Sequence, residues 1–471
     1  MASATSLDVD TFLDSLPFNR FHLRVLIVST VMMMVDGYDL AVVGWVLPKL
    51  TETLGVARTA LTPALMAQQV GMVIGAYLIA PLADRVGRRP MLLMSIAVIS
   101  LCCAGTLFSH DVWTFAAWRL LTGAFASTII SNLVALSSDI APRRLRGTMC
   151  TIVLTGSMGG ALLGALMQAF VLEQYGWKGA FVIGTVLSAC MLLIAWLALP
   201  ESLRFLARRH PSHPQVVRLV AAMQGANAQR VTVTVTEEVR TDQRSFAGVI
   251  FAPGKRLATV LLWLAFICSF VFISIYSAWS TTFYHDVAKL DWRDIAITTG
   301  LYTGFGALGT LSIGVAIDRF GFKTVLPITF FAAGLAAIAI GLAGSNTQLF
   351  VAVGVMALFQ VGGHSGLSTL AATQYDAGSR ARGVGWAYGA GRVVSIFGAP
   401  VGAYLLHEHL PQTVIFAVVG VPLLTAAVLS LTLLSRNQSD KEKRAPSGSN
   451  SKRPSPTARS QEAVATAPPK V

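Results

Sequence analysis

Long apolar stretches alternate with short polar ones along most of this chain. An α-helix needs about 20 mostly apolar residues to cross the hydrocarbon core of a bilayer. A β-barrel would instead show short segments of alternating polarity, which unbroken runs such as Val182–Leu199 exclude. The pattern predicts an all-α, polytopic membrane protein with twelve spans at 24–47, 62–83, 90–108, 112–138, 147–172, 179–199, 257–284, 295–317, 323–343, 348–371, 382–406 and 412–434.

Two polar loops in the first half of the chain recur in the second half. Asp84–Arg89 follows the second predicted span, and Asp318–Lys323 follows the eighth. Arg144–Gly147 precedes the fifth span, and Arg380–Gly383 precedes the eleventh. Both repeats have nearly the same offset, which is close to half the chain, so they indicate duplication of a six-helix unit. In transporters built from parallel repeats, the substrate lies between the halves near the membrane midplane.

The spans and loops divide the chain into five segments. The central loop is polar and basic, with a helical start at Ser202–Arg209 and alternating Thr and Val at Val231–Val235. The tail is rich in Ser, Pro, Lys and Ala, a composition typical of disorder. We expect a cytoplasmic N-terminal segment at 1–23, a first six-helix half at 24–200, a cytoplasmic central loop at 201–256, a second half at 257–434 and a disordered cytoplasmic tail at 435–471.

The positive charge of the chain is distributed unevenly. The formal net charge is +13, yet only 13% of the residues are charged and 54% are hydrophobic. Lys and Arg concentrate in the predicted inner loops, as the positive-inside rule requires. The basic balance therefore indicates cytoplasmic termini and a lipid bilayer as partner, not nucleic acid. The short inner loops hold Arg85, Arg88, Arg89, Arg143, Arg144, Arg146, Arg319, Lys323, Arg380 and Arg382, and the outer loops hold Lys49, Arg58, Lys178, Lys289 and Arg293.

Motifs of catalysis and of nucleotide binding are missing from the sequence. It contains no phosphate-cradling Walker sequence, no metal-ligand cluster and no catalytic Ser/His/Asp or Cys/His set in a soluble domain. We therefore expect neither an enzyme nor an ATP-driven pump, and we expect no cofactor and no metal ion.

Four ionisable residues fall deep within predicted spans. A charge at the centre of a membrane helix costs about 2.5–3.5 kcal/mol to insert, so such residues require partners or water and indicate function. Asp36 and Asp39 share one face of the first span, where they would titrate as a coupled pair suited to carrying protons. We expect Arg119, in the fourth span, to lie at the depth of Asp39 and to pair with it. That pair either opens during transport or permanently joins the two spans.

Arg392, the fourth charge, lies near the middle of the eleventh span, after Gly389 and Gly391. A planar guanidinium suits two-point binding of a carboxylate, and the glycines leave room for a ligand or another helix. We expect Arg392 to anchor a substrate carboxylate; pairing with a helix-end carbonyl is the alternative. The rest of the pocket is expected from Tyr38, Gln68, Tyr302, Phe305, Phe359, Gln360, His364, Trp386 and Tyr388, with Tyr276 and Trp279 as further candidates.

The loop after the second span resembles a motif of the major facilitator superfamily. That pattern is G-x3-D-[RK]-x-G-R-[RK], and this chain has Ala80 in place of the leading glycine. The second copy keeps Gly314 but has Phe322 where arginine would stand. The resemblance implies twelve helices in two pseudo-symmetric halves, and we expect Asp84 to cap an inner helix end. It also implies gating roles for Asp84, Arg85, Gly87, Arg88, Asp318 and Arg319.

A narrower resemblance begins at Asp36–Asp39, which is similar to the aromatic acid/proton symporter family. Pro142–Thr148, Pro200–Phe205 and Arg382–Arg392 are also similar to that family, and the resemblance covers roughly 18–434. It implies a monomeric, proton-coupled importer in the bacterial inner membrane that works by alternating access. Its substrates would be small aromatic carboxylates of the benzoate, hydroxybenzoate or chlorinated aryl acid class.

Two other classes of function stay open. One is a carrier of the same superfamily for another organic anion or sugar acid, and the other is a membrane sensor. Arg119 and Gly123 are similar to the superfamily motif linked to proton coupling. A sugar porter would show Pro-Glu-Thr-x-Gly where Leu434–Asn437 stands, and a drug/proton antiporter would show a proline within Gly156–Ala161. No signalling domain is recognisable in 201–256 or in the tail, which argues against sensing alone.

Overall fold

The computed structural model describes residues 5–142, 144–209, 214–224, 231–234, 256–374 and 380–444. Within them, twelve helices are long and apolar enough to cross a membrane, which confirms the predicted all-α class and number of spans. We number them spans 1 to 12 along the chain. Spans 1 to 6 are Arg20–Leu54, Arg58–Val86, Arg88–Thr106, Val112–Ile140, Arg146–Met167 and Gln174–Ala198. Spans 7 to 12 are Arg256–Val287, Trp292–Phe320, Phe322–Gly341, Asn346–Ala371, Gly383–His407 and Gln412–Ser435.

Span 1 extends further beyond its predicted ends than the other spans. The side-chain oxygen of Asn19 accepts hydrogen bonds from the first backbone N–H groups of the helix, as an N-cap residue does. The helix ends at Gly55, whose φ of 64° is left-handed and favours glycine. Caps rather than the apolar stretch therefore set both ends of this helix.

Several spans depart from regular α-helical geometry. Span 2 contains a π-helical turn at Gly75–Ile79, and span 7 ends in another at Phe283–Val287. Span 11 is broken between the helices Arg380–Ser395 and Gly398–His407. Spans 5 and 6 belong to one helical run that kinks at Gly176, where φ is 62°. Such irregular turns often occur at functional sites, and four of these five spans line the cavity described below.

Short elements connect the N-terminal segment with the central loop. They are the helices Val9–Ser15, Leu203–Arg209 and Pro214–Gln224 and the strands β1, Thr5–Asp8, and β2, Val231–Thr234. The two strands pair in parallel, so the Thr/Val alternation of the central loop does form a strand. The last helix runs to Arg444, so the tail predicted from residue 435 begins inside it. Arg143, most of the central loop and residues 445–471 lie outside the described residues.

Glycines allow close contact between spans in the first half. A Cβ atom on Gly37 of span 1 would overlap the backbone of Ser157 in span 5. A Cβ atom on Gly71 of span 2 would overlap the backbone of Leu120 in span 4. Small residues allow such approach in membranes, where the hydrophobic effect does not draw helices together. These contacts fix where spans 1 and 2 present their polar side chains.

The repeated loop is also visible in the backbone. Gly87 precedes span 3 with φ of 112°, and Gly321 precedes span 9 with φ of 75°. Positive φ favours glycine, which has no Cβ. The two glycines hold the same position in the two copies of the motif, which agrees with duplication of a six-helix unit.

Candidate functional site

A cavity of about 360 Å³ lies between the two halves of the bundle. Spans 1, 2 and 5 of the first half and spans 7, 8, 10 and 11 of the second half line it. This is the position expected of a substrate site in a protein built from parallel repeats. Its volume lies within the range of about 300–1,000 Å³ typical of small-molecule pockets. Of the predicted pocket residues, the wall includes Gln68, Tyr276, Tyr302 and Arg392.

Arg392 alone carries a charge among the described residues that line this cavity. Its Nη1 lies 3.2 Å from the sulfur of Met72 in span 2. A thioether is a weak acceptor, whereas a guanidinium has five N–H donors. The contacts of Arg392 therefore leave strong donor capacity for an anion that occupies the cavity.

The two glycines before Arg392 accommodate side chains from neighbouring spans. A Cβ atom on Gly389 would overlap the Tyr77 hydroxyl of span 2, and one on Gly391 would overlap the Phe270 ring of span 7. The space that the two glycines were expected to leave is thus filled by side chains from helices of both halves. These contacts hold the backbone of Arg392 against the wall of the cavity.

Asp36 is buried beside the cavity, with 1% of its surface exposed. Neither carboxylate oxygen has a hydrogen-bond partner within the described part of the chain. It interacts electrostatically with Asp39 and with Arg392, and its neighbour Gly37 is part of the cavity wall. Burying an unpaired charge is costly, so this group requires a proton or the approach of a cation.

Asp39 and Arg119 form the expected ion pair. Arg119 Nη1 lies 3.4 Å from Asp39 Oδ1, and both side chains are buried. Arg119 also donates to Thr106 Oγ1 over 3.2 Å, and its guanidinium stands 5.0 Å from the centroid of the Phe181 ring. Asp39 is therefore tied to span 4, whereas Asp36 interacts electrostatically with Arg392 in span 11.

Sequence reasoning missed two partners of this ion pair, both in span 3. Cys103 Sγ donates to Asp39 Oδ1 over 2.9 Å, and Thr106 contacts Arg119 as described above. Both residues were visible as weakly polar positions in an apolar window. Nothing in the sequence indicated which other span they face.

His364 and Tyr388 are not among the described lining residues and lie in an aromatic cluster behind Phe270, which lines the cavity. The ring of His364 packs against Phe266 and Phe270, and its Nδ1 is 2.9 Å from Ser269 Oγ. The Tyr388 hydroxyl lies 2.6 Å from the Ser368 hydroxyl. Both polar groups thus have partners within the second half, which fits a packing role.

The remaining predicted pocket residues also lie off the wall that the described residues define. Gln360 is buried behind it and accepts a hydrogen bond from the Tyr302 hydroxyl over 3.0 Å. The Tyr38 hydroxyl donates to the carbonyl of Ala180 over 2.9 Å. The structure places Trp386 against Tyr77, Phe359 against the apolar core, Phe305 in a partly exposed position and the Trp279 indole against the Ala399 carbonyl.

The loop between spans 2 and 3 is held by acids that lie outside its motif. Glu201 accepts hydrogen bonds from the backbone N–H groups of Arg88 and Arg89 over 2.9 and 3.2 Å. Glu201 therefore caps span 3, which corrects the prediction that Asp84 caps an inner helix end. Asp84 is exposed, as are the predicted gating residues Arg85, Asp318 and Arg319.

Asp139, at the end of span 4, contacts three residues of the same network. Its carboxylate pairs with the guanidinium of Arg88 and accepts a hydrogen bond from the Ser202 hydroxyl. Arg204 lies 3.8 Å away. Glu201 and Ser202 belong to a motif that the sequence singled out without giving it a role. Asp139 was visible only as a charge at the edge of an apolar window.

The chain is similar to known proteins along most of its length. The model of the Major Facilitator Superfamily matches residues 29–314 and 293–467. A gallate transporter from Pseudomonas putida is 31% identical over 426 residues, which cover 90% of this chain and 94% of that protein. The 4-hydroxybenzoate transporter PcaK from Acinetobacter baylyi is 30% identical over 431 residues, 90% of this chain and 93% of that protein.

Solved structures share the fold at low sequence identity. The xylose transporter XylE from E. coli, in a partially occluded inward-open conformation, superposes with a TM-score of 0.69. The match covers 88% of this chain and 98% of that chain at 15% identity. At this identity the likeness concerns the fold alone.

Proposed function

Because the chain belongs to the major facilitator superfamily, we propose that it imports small aromatic carboxylic acids together with protons by alternating access of the central cavity. The predicted kinship with aromatic acid transporters is confirmed, since relatives named as gallate and 4-hydroxybenzoate transporters align along 90% of the chain. The proposed substrates are benzoate, hydroxybenzoates or chlorinated aryl acids.

The presence of a single cation, Arg392, on the described wall of the central cavity carries this proposal. A carboxylate that enters the cavity loses its hydration, and a neutral group compensates for that loss poorly. The guanidinium offers two parallel N–H donors to the two carboxylate oxygens. The Tyr276 and Tyr302 rings, whose centroids are 4.6 Å apart, provide aromatic surface on the same wall.

Asp36 is the proposed proton carrier. Before a substrate binds, its carboxylate is a counter-charge for Arg392. When a substrate carboxylate binds Arg392, Asp36 loses that partner and takes up a proton. Substrate and proton then favour each other's binding, and such coupling is reciprocal. One proton would enter with each monoanion, so the step would be electroneutral.

The chain is a multi-pass membrane protein, and we propose that it lies in the bacterial inner membrane as a monomer with both termini in the cytoplasm. The excess of Lys and Arg in the loops on the side of Arg88 supports this orientation.

Uptake of radiolabelled 4-hydroxybenzoate and benzoate into cells that express the chain tests the proposal. We expect accumulation above that of vector-only cells, and an uncoupler should abolish it. The Arg392→Ala chain is the matched control. Absence of uptake of either acid, while a sugar acid or another organic anion accumulates, would favour the alternative carrier. Accumulation that persists with the uncoupler would contradict proton coupling.

A further inference from the structure

A second cavity, of about 560 Å³, lies at the end of the bundle opposite the Arg88 loop. This is the outer end in the proposed topology. Its wall comes from both halves, with Arg58 from the first half and Asp286, Leu405 and Ile415 from the second. It lies about 9 Å beyond the central cavity along spans 7 and 11, from the helical rise per residue. We call it the outer cavity.

Arg58 joins the two halves at the outer cavity. Its Nε and Nη2 lie 2.7 and 3.1 Å from the two carboxylate oxygens of Asp286. Its Nη1 donates to Thr51 Oγ1 over 2.7 Å, and Glu52 is 3.9 Å away. Residues of the first half therefore orient Arg58, and its guanidinium binds a carboxylate of the second half at two points.

The halves also touch at the wall of the central cavity. A Cβ atom on Gly44 of span 1 would overlap the backbone of Ser277 in span 7. Both residues lie in the outer third of their spans. Separation of the halves at the outer end therefore has to open this backbone contact as well as the ion pair.

We propose that the outer cavity is a loading site, in which Arg58 exchanges the carboxylate of Asp286 for that of the substrate. Both carboxylates present the same pair of oxygens, so the same guanidinium geometry binds either. The exchange removes the ion pair between the halves, and loading is thereby coupled to opening of the outer end. This inference rests on the proposed function, because it takes the substrate to be an aryl carboxylate.

Asp286 keeps a partner when the substrate displaces it. His285 Nδ1 lies 2.7 Å from Asp286 Oδ1, and the His285 ring packs on Trp292 with centroids 4.7 Å apart. Leu405 and Ile415 give the outer cavity an apolar side, on which an aromatic ring is removed from water. The site therefore offers a cation for the carboxylate and an apolar surface for the ring of an aryl carboxylate.

The test compares Arg58→Gln with Asp286→Asn in uptake of radiolabelled 4-hydroxybenzoate. Both variants remove the ion pair, but only Arg58→Gln removes the anchor. We expect Arg58→Gln to raise the external concentration for half-maximal uptake about tenfold, the effect of losing one charge-assisted contact. Asp286→Asn should leave that concentration unchanged or lower it. Arg293→Gln, at an exposed arginine in the first turn of span 8, is the matched control and should behave like the parent.

Binding of the same acid to purified protein separates the two cavities. Arg58→Gln should keep an affinity within about threefold of the parent value, because Arg392 is intact. Immunoblots of the membrane fraction identify a variant that fails to fold. If Arg58→Gln fails to fold, Arg58→Lys replaces it, because lysine keeps the charge without the two-point geometry. Arg58→Lys should raise the half-maximal concentration by a smaller factor.

Equal rises of the half-maximal concentration in Arg58→Gln and Asp286→Asn would show that the ion pair only holds the halves together. That result would overturn the loading site. An unchanged half-maximal concentration in Arg58→Gln would overturn it as well, while normal parent uptake would leave the proposed function standing. No uptake of aryl acids by the parent would overturn the proposed function together with this inference.

Discussion

Asp36 and Asp39 are one helical turn apart in span 1, yet their surroundings differ. Asp39 contacts Arg119 and Cys103. Asp36 has no hydrogen-bond donor among the described residues and interacts with Arg392 across the interface of the halves. These contacts support the proposal that Asp36 carries the proton and that Asp39 has a structural role.

Replacing each acid by asparagine separates the two roles. Asp36→Asn should abolish uphill accumulation but preserve exchange of labelled for unlabelled substrate, because it removes a proton site without breaking a hydrogen bond. Asp39→Asn should also lower the melting temperature, since a buried pair that loses one partner costs about 3–5 kcal/mol. Exchange in proteoliposomes and melting of the purified variants are the measurements. Full accumulation by Asp36→Asn would contradict the assignment.

The proposed anchoring role of Arg392 predicts a graded loss of binding. Arg392→Lys keeps the charge but loses the two-point geometry, so affinity should fall. Arg392→Ala should lose binding almost entirely, because truncating one partner of a buried charge pair costs about 2–5 kcal/mol. Binding in detergent, where no gradient exists, measures this directly. Loss of binding in Arg119→Ala with normal binding in Arg392→Ala would reverse the roles of the two arginines.

The spacing of Asp36 and Asp39 was enough to predict a shared helix face, and the depth of Arg119 was enough to predict its partner. The sequence could not predict that Asp36 would lack a donor, because this depends on how span 1 is rotated against spans 3 and 4. The same rotation explains the position of His364. It is polar and lies within a span, but it faces Ser269 and two phenylalanine rings instead of the cavity.

A minimum span length follows from the bilayer, so apolar windows located most span ends to within four residues. The end of span 1, which a cap sets, lies seven residues beyond the predicted one. The π-helical turns at Gly75–Ile79 and Phe283–Val287 and the break before Gly398 were not predictable in the same way. At two of these points a glycine contacts a neighbouring span closely, Gly75 with span 4 and Gly398 with span 7. Gly389 and Gly391 indicated close approach in span 11, but not that Tyr77 and Phe270 would be the partners.

Close contact between spans 1 and 5 predicts a different response to alanine at two glycines. Gly37→Ala should lower the melting temperature and slow transport, because the added methyl group overlaps the Ser157 backbone and tightly packed interiors respond to even one methylene. Gly304→Ala is the matched control, since no atom lies within 4 Å of its added Cβ. Equal melting temperatures for the two variants would show that spans 1 and 5 can separate freely.

At the scale of the whole molecule, the proposed function depends on contacts between halves that are distant in sequence. Arg58 and Asp286 are 228 residues apart. The sequence identified Arg58 only as one of several outer basic residues, and nothing in the pattern of spans indicated its partner. The duplication of six helices did indicate a cavity between the halves, because the repeat symmetry alone requires an interface there.

Alternating access requires the two halves to separate at the outer end, and a covalent link there should prevent uptake. In a chain with the exposed Cys190 replaced by serine, Arg58→Cys and Asp286→Cys can be joined by a short, reducible, thiol-specific cross-linker. Uptake at saturating substrate should stop after cross-linking and return after reduction, since saturation offsets the lost outer anchor.

The matched control for this link is Lys49→Cys with Glu52→Cys. That pair is 3.1 Å apart within span 1, so a link between its members leaves the halves free to move. Uptake by the control should persist after cross-linking. The linked Arg58→Cys/Asp286→Cys protein should still bind substrate at Arg392 in detergent, because the link restrains the outer end and leaves the central cavity unchanged. Undiminished uptake through the linked outer end would mean that substrate reaches Arg392 without separation of the halves, which contradicts alternating access through this end of the bundle.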